Sequence, residues 1–157
     1  MKVEIDIYRQ RLQLVSAGDV LMDVPVSTAA NGVGELSGSE CTPRGAHIIR
    51  AKIGAGSAVN TVFRGRRATG EIYTTVLSQQ QPGRDWILTR ILWLSGVEIG
   101  QNRLGEVDTM RRYIYIHGCP DETDMTVPGS HGCIRVRNDD ILCLYEKVDV
   151  GTEVNII

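Results

Sequence analysis

The chain has 157 residues, 17 Lys plus Arg against 19 Asp plus Glu, and a formal net charge of −2. That length suits one domain with a real core, and an apolar content of 42% is ordinary for a globular protein. The charge balance gives no footprint for nucleic acid, and no run approaches the ~18 apolar residues of a membrane span.

The N-terminal stretch MKVEIDIYRQ does not read as a signal peptide, because Glu4 and Asp6 interrupt any apolar segment. Val3, Ile5 and Ile7 alternate with polar residues, as do Leu12 and Leu14, and period-two alternation predicts half-buried strands joined by a turn at Arg9-Gln10. A short strand is expected over 20–26, a turn-prone segment over AANGVGELSGSECTPRG, and strands over 47–53 and 71–77. QQQPGRD reads as a loop. The apolar run 86–94 fits helix or strand equally by period. GVEIGQNRLGEVD reads as a loop, and RYIYI (112–116) as a buried strand that delivers His117 at its end. Asn138 or Asp139 is placed to cap a helix carrying Ile141, Leu142, Leu144 and Tyr145, and 154–157 reads as a closing strand. The expected fold is therefore mainly β, one domain over 1–157, with one or two helices, the clearest near the C-terminus.

The chemistry concentrates in HGCPDETDMTVPGSHGC, residues 117–133. Three readings compete. His117, Cys119, His131 and Cys133 supply the ligand types of a tetrahedral zinc site, but a single residue separates each pair, closer than structural zinc sites usually allow. A Cys119–Cys133 bridge would close a loop of ~15 residues and contribute ~3 kcal/mol in the chain-entropy picture. The third reading is catalytic: an imidazole takes the thiol proton, since a free thiol of pKa ~8.5 is only slightly ionised at neutral pH. Gly132 lets the backbone approach a ligand closely. Cys143, between Leu142 and Leu144, reads as a small core residue. Arginine clusters at Arg64, Arg66, Arg67 and at Arg111, Arg112 bring forks suited to carboxylates and phosphates, although most such residues simply face solvent.

The hexapeptide SHGCIR (Ser130–Arg135), preceded by a His after a strand, resembles the motif of the L,D-transpeptidase catalytic domain. YIYIHG, CTPRG (Cys41–Gly45) and the C-terminal GTEVNII are similar to other parts of that family, so the likeness spans most of the chain. The loop between His117 and Ser130 is shorter than is usual, and Cys119 is not part of the pattern. The resemblance implies a sandwich- or barrel-like β fold and a cysteine acyltransferase acting on peptidoglycan stem tetrapeptides, with no cofactor. It implies Cys133 as nucleophile and His117 as base, Gly132 and Cys133 amides at an oxyanion, and Gly118, Ser130, His131 and Arg135 orienting the loop or the substrate. Arg135 would hold a substrate carboxylate. Carbapenem-type inhibitors become expected ligands, and the periplasm or cell wall the expected location unless the visible N-terminus is native, which would make it cytoplasmic. Hydrolysis instead of transfer, or a zinc module without activity, are the alternatives.

Overall fold

A computed structural model describes residues 1–157. The strands are β1 (Lys2–Asp6), β2 (Arg11–Ser16), β3 (Asp19–Ser27), β4 (Gly45–Ile53), β5 (Thr61–Arg64), β6 (Arg67–Ile72), β7 (Ile87–Gly96), β8 (Tyr115–Cys119), β9 (Ile134–Arg137) and β10 (Glu153–Ile156). The helices are α1 (Thr75–Gln80) and α2 (Asn138–Lys147), with a 3-10 turn at Gly105–Val107. Eight strands run in the order β4-β10-β1-β2-β3-β9-β8-β7, and β7 pairs back onto β4, closing a barrel. The β5–β6 hairpin hangs on the first residues of β7.

Alternation builds the barrel. Val3 opposes Leu14 and Ile5 opposes Leu12 across β1 and β2, and all four are fully buried. With Leu92, Leu94, Ile116, Ile134 and Val136 they form one core, which the apolar face of α2 (Ile141, Leu144, Tyr145) joins. Each such side chain contributes roughly 1.5–3 kcal/mol by leaving water.

Three expectations change, and one left open is resolved. The strand expected over 71–77 stops at Ile72, because the Thr74 hydroxyl accepts the Leu77 N–H at 3.1 Å and starts α1. The strand expected over 112–116 begins only at Tyr115, since Tyr113 sits at φ +56. Asp108 anchors the turn before it by accepting the Arg111 N–H at 3.0 Å. His117 is therefore mid-strand. The 86–94 run resolves as strand β7. Cys143 is exposed, because the inward face of α2 is spaced through Ile141, Leu144 and Tyr145.

Candidate functional site

β8 and β9 run parallel, with Ile116 opposite Ile134 and His117 opposite Arg135. Ile116, Ile134 and Val136 point into the barrel core. Alternation therefore sends Tyr115, His117, Cys133 and Arg135 to the other face. His117 is opposite Arg135, two residues beyond Cys133, so the two are diagonal neighbours on one face, roughly 7–8 Å apart between backbones, a span that long side chains can bridge.

Cys133 is half-buried at the head of β9. Its Sγ accepts the Tyr115 N–H at 3.3 Å and donates to the Tyr113 carbonyl at 3.3 Å. Burial pushes the thiol up to about 12, opposed first by the Tyr115 N–H. His117 is 1% exposed. Its Nδ1 lies 2.6 Å from the Gly118 carbonyl, which can only accept, so Nδ1 carries the proton and the neutral ring keeps its lone pair on Nε2. Burial also holds the imidazole below its ordinary pKa, against the opposing pull of Asp85. No hydrogen bond joins the sulfur to the ring; each is held by a backbone carbonyl of its own.

The loop entering Cys133 is tightly latched. Ser130 is buried, donates to the Cys133 carbonyl at 2.5 Å and accepts the Gly132 N–H at 3.1 Å. The Thr42 hydroxyl donates to the Gly132 carbonyl at 2.9 Å, which gives the CTPRG turn its task. Gly132 has φ +131, and a Cβ there would meet Ile114 at 2.9 Å, so only glycine fits. The Gly132 amide is thus occupied by Ser130, whereas the Cys133 amide has no protein acceptor.

An open cavity of about 480 Å³ lies over the thiol, walled by Arg66, Asp85, Arg112, Tyr113, Tyr115 and His131 among others. His131 is exposed on its rim. Arg135 does not reach it; its Nη2 pairs with Asp85 at 3.2 Å, so the carboxylate it engages is the protein's own. Arg112 donates to the carbonyls of Gly34, Glu35 and Cys41, the last at 2.6 Å, fastening the 34–41 loop beside the cavity.

The competing readings of the motif part company with the geometry. All four cysteines are free, and Cys119 is buried with its Sγ donating to the Val136 carbonyl at 3.3 Å. No three His, Cys, Asp or Glu side chains converge to hold a metal ion. The sequence reading missed the hairpin that brings Arg66, although FRGRRA carries its turn: Gly65 and Arg66 are both left-handed (φ +55 and +64), the two-residue turn that suits a hairpin. It also missed the Tyr113 and Tyr115 backbone groups that hold the thiol, for which no side-chain pattern exists.

Residues 1–156 match the YkuD family, the L,D-transpeptidase catalytic domain. The chain belongs to that family. Over 46 residues, 29% of the chain, it is 48% identical to the probable L,D-transpeptidase YbiS of Escherichia coli K12, but that stretch is 15% of the relative. The fold is shared with an L,D-transpeptidase from Mycobacterium smegmatis, with TM-score 0.62, 20% identity, and 99% of this chain against 57% of that one. It is shared too with L,D-transpeptidase 3 from Mycobacterium tuberculosis, solved with a faropenem-derived adduct, with TM-score 0.58, 14% identity, and 98% of this chain against 58% of that one. The chain thus spans little more than half of either solved structure and far less of the curated relative.

Proposed function

We propose that residues 1–157 form one catalytic domain, a cysteine acyltransferase that cleaves the bond between the diamino acid and the terminal D-alanine of peptidoglycan stem tetrapeptides and passes the acyl group to an amine. Cys133 is the nucleophile and His117 the general base. The supporting observation is a thiol opening into a cavity while its strand neighbour His117, on the same face, keeps Nε2 unprotonated.

Both groups are neutral at rest, the thiol raised and the imidazole lowered by burial. Proton transfer therefore accompanies attack. The thiol leaves the Tyr113 carbonyl, gives its proton to Nε2, and Sγ bonds to the scissile carbonyl carbon. The Cys133 amide donates to the oxyanion that forms. As the C–N bond breaks, the imidazolium returns the proton to the departing D-alanine nitrogen, leaving a thioester. An acceptor amine then attacks and loses its proton to His117, and as the C–S bond breaks the imidazolium passes that proton to the departing sulfur, restoring the neutral thiol and imidazole. Ser130 and Gly132 shape the nucleophile turn, Gly118 orients the base through its carbonyl, and His131 lies where substrate enters. A substrate found in the wall places the enzyme in the periplasm or cell wall.

Two measurements test this. Incubation with a carbapenem gives one covalent adduct by intact mass, and Cys133→Ala gives none; an unchanged adduct in that variant rejects Cys133. Purified tetrapeptide muropeptides give dimers with loss of D-alanine, whereas tripeptide alone means hydrolysis.

A further inference from the structure

Arg66 stands at the tip of the β5–β6 hairpin and reaches across the cavity. Its guanidinium lies 4.6 Å from the ring centre of Tyr113 and 4.9 Å from that of Trp93. Its Nη1 donates to the Tyr115 hydroxyl at 3.1 Å. The backbones of these same two tyrosines hold the Cys133 thiol. Guanidinium and sulfur are thus fastened to one short segment and face one cavity.

Of the two arginines on the cavity wall, Arg66 has no carboxylate partner and few of its donors engaged. Arg84 pairs with Glu71, Arg135 with Asp85, and Arg44 with Glu35. Arg112, the other arginine on the cavity wall, spends its N–H groups on the carbonyls and hydroxyl of the 34–41 loop. Arg66 keeps most of its five donors unspent beside the reactive sulfur. Its position over the neighbouring Trp93 and Tyr113 rings, together with its bond to the Tyr115 hydroxyl, fixes the fork in advance, so less freedom is lost when an anion docks.

We propose that Arg66 is the specificity-determining residue that holds the C-terminal carboxylate of the substrate. This rests on the acyl-transfer reading above. The residue released by Cys133 is the last of the stem, and its carboxylate lies one residue, roughly 3.8 Å of chain, beyond the attacked bond. A planar fork meets a carboxylate through two parallel hydrogen bonds. It would confine cleavage to a peptide with a free C-terminus.

The test is binding in the Cys133→Ala protein, which cannot turn over, of a stem tetrapeptide ending in D-alanine and of its D-alaninamide counterpart, measured by titration calorimetry. The acid is expected to bind at least about tenfold tighter, the factor that accompanies one charge-assisted hydrogen bond. Adding Arg66→Gln should bring the acid down to the amide and leave the amide within about twofold, while Arg66→Lys keeps part of the preference. Equal binding of the two peptides, a preference that survives Arg66→Gln, or loss of both ligands in that variant overturns the assignment. An Arg66-dependent preference combined with no D-alanine release by the unmodified enzyme supports the carboxylate site and rejects the transferase reading alone.

Discussion

Thr89 Oγ1 donates to Asn138 Oδ1 at 2.6 Å, and that same oxygen is what a Cβ on Gly118 would meet at 2.5 Å. The pair therefore forms the wall against which Gly118 packs, and Gly118 supplies the carbonyl that fixes the His117 tautomer. Asn138 heads α2, yet its side chain is directed to Thr89 and Asn60.

Gly118→Ala follows from this wall. The new methyl would also meet the Leu88 carbonyl at 2.6 Å, and backbone cannot step aside as a side-chain tip can. A loss of about 1–3 kcal/mol is expected for such overpacking, read as a drop in thermal midpoint. D-alanine release should fall at least tenfold, because displacing the carbonyl frees the imidazole. An active variant of unchanged stability would show that Gly118 is not held as described.

Thr89→Val tests the other side. Valine keeps the shape but removes a hydroxyl that donates to Asn138 and accepts the Asn60 N–H at 3.1 Å. Leaving these buried groups unpaired costs roughly 1–3 kcal/mol. Thr89→Ser retains both bonds and should match the parent in denaturant unfolding. If valine and serine behave alike, the hydroxyl is not holding the wall together.

The pH dependence has two separate windows. The Cys133 thiol is pushed up by burial to about 12, so alkylation by iodoacetamide should climb steadily from pH 7 to 10 with no plateau near neutrality. A plateau at pH 6–8 would reveal a resting thiolate–imidazolium pair. The imidazoles of His117 and His47 are both lowered by burial. The folded state thus binds fewer protons than the unfolded chain below the ordinary histidine value of ~6.5. Their contribution is complete above that value and is lost as pH falls through the folded values, by at most about 1.4 kcal/mol per histidine per pH unit. Equilibrium unfolding between pH 7 and 5 measures it, and His47→Gln should shrink the slope.

Cysteine accessibility gives a fourth prediction. Thiol labelling without reductant should find four free cysteines after unfolding, with the exposed Cys143 reacting first in the native protein and the buried Cys119 last. Cys119→Ser should keep activity within a few-fold, its hydroxyl still able to reach the Val136 carbonyl. Reductant-dependent activity would reinstate a bridge.

The sequence made the alternating strands and the motif around Cys133 legible because both depend on side-chain identity at short spacing. Val3, Ile5, Leu12 and Leu14 announce their strands, and Ser130-His131-Gly132-Cys133 announces its chemistry. What stayed hidden depends on backbone and on pairing across the chain. The start of β8 turns on the left-handed Tyr113. The fate of Arg135 turns on Asp85, fifty residues away. Arg66 enters the cavity only because its hairpin is tethered to β7, and Thr89 matters only because it meets Asn138.

The parallel ladder between β8 and β9 carries a consequence for the connection over 120–133. The His117–Arg135 register sets where Cys133 stands relative to the imidazole, and Thr42, Thr28 and Ser130 pin the last residues of that connection. Its brevity therefore does not strain the pair. With Met125 and Glu122 kept, since the first is buried against Cys119 and the second accepts from the Tyr73 hydroxyl, the exposed positions of 120–127 should accept substitution or insertion with the spacing of the two groups preserved, which makes this crossover a natural place to graft new contacts without rebuilding the reactive centre.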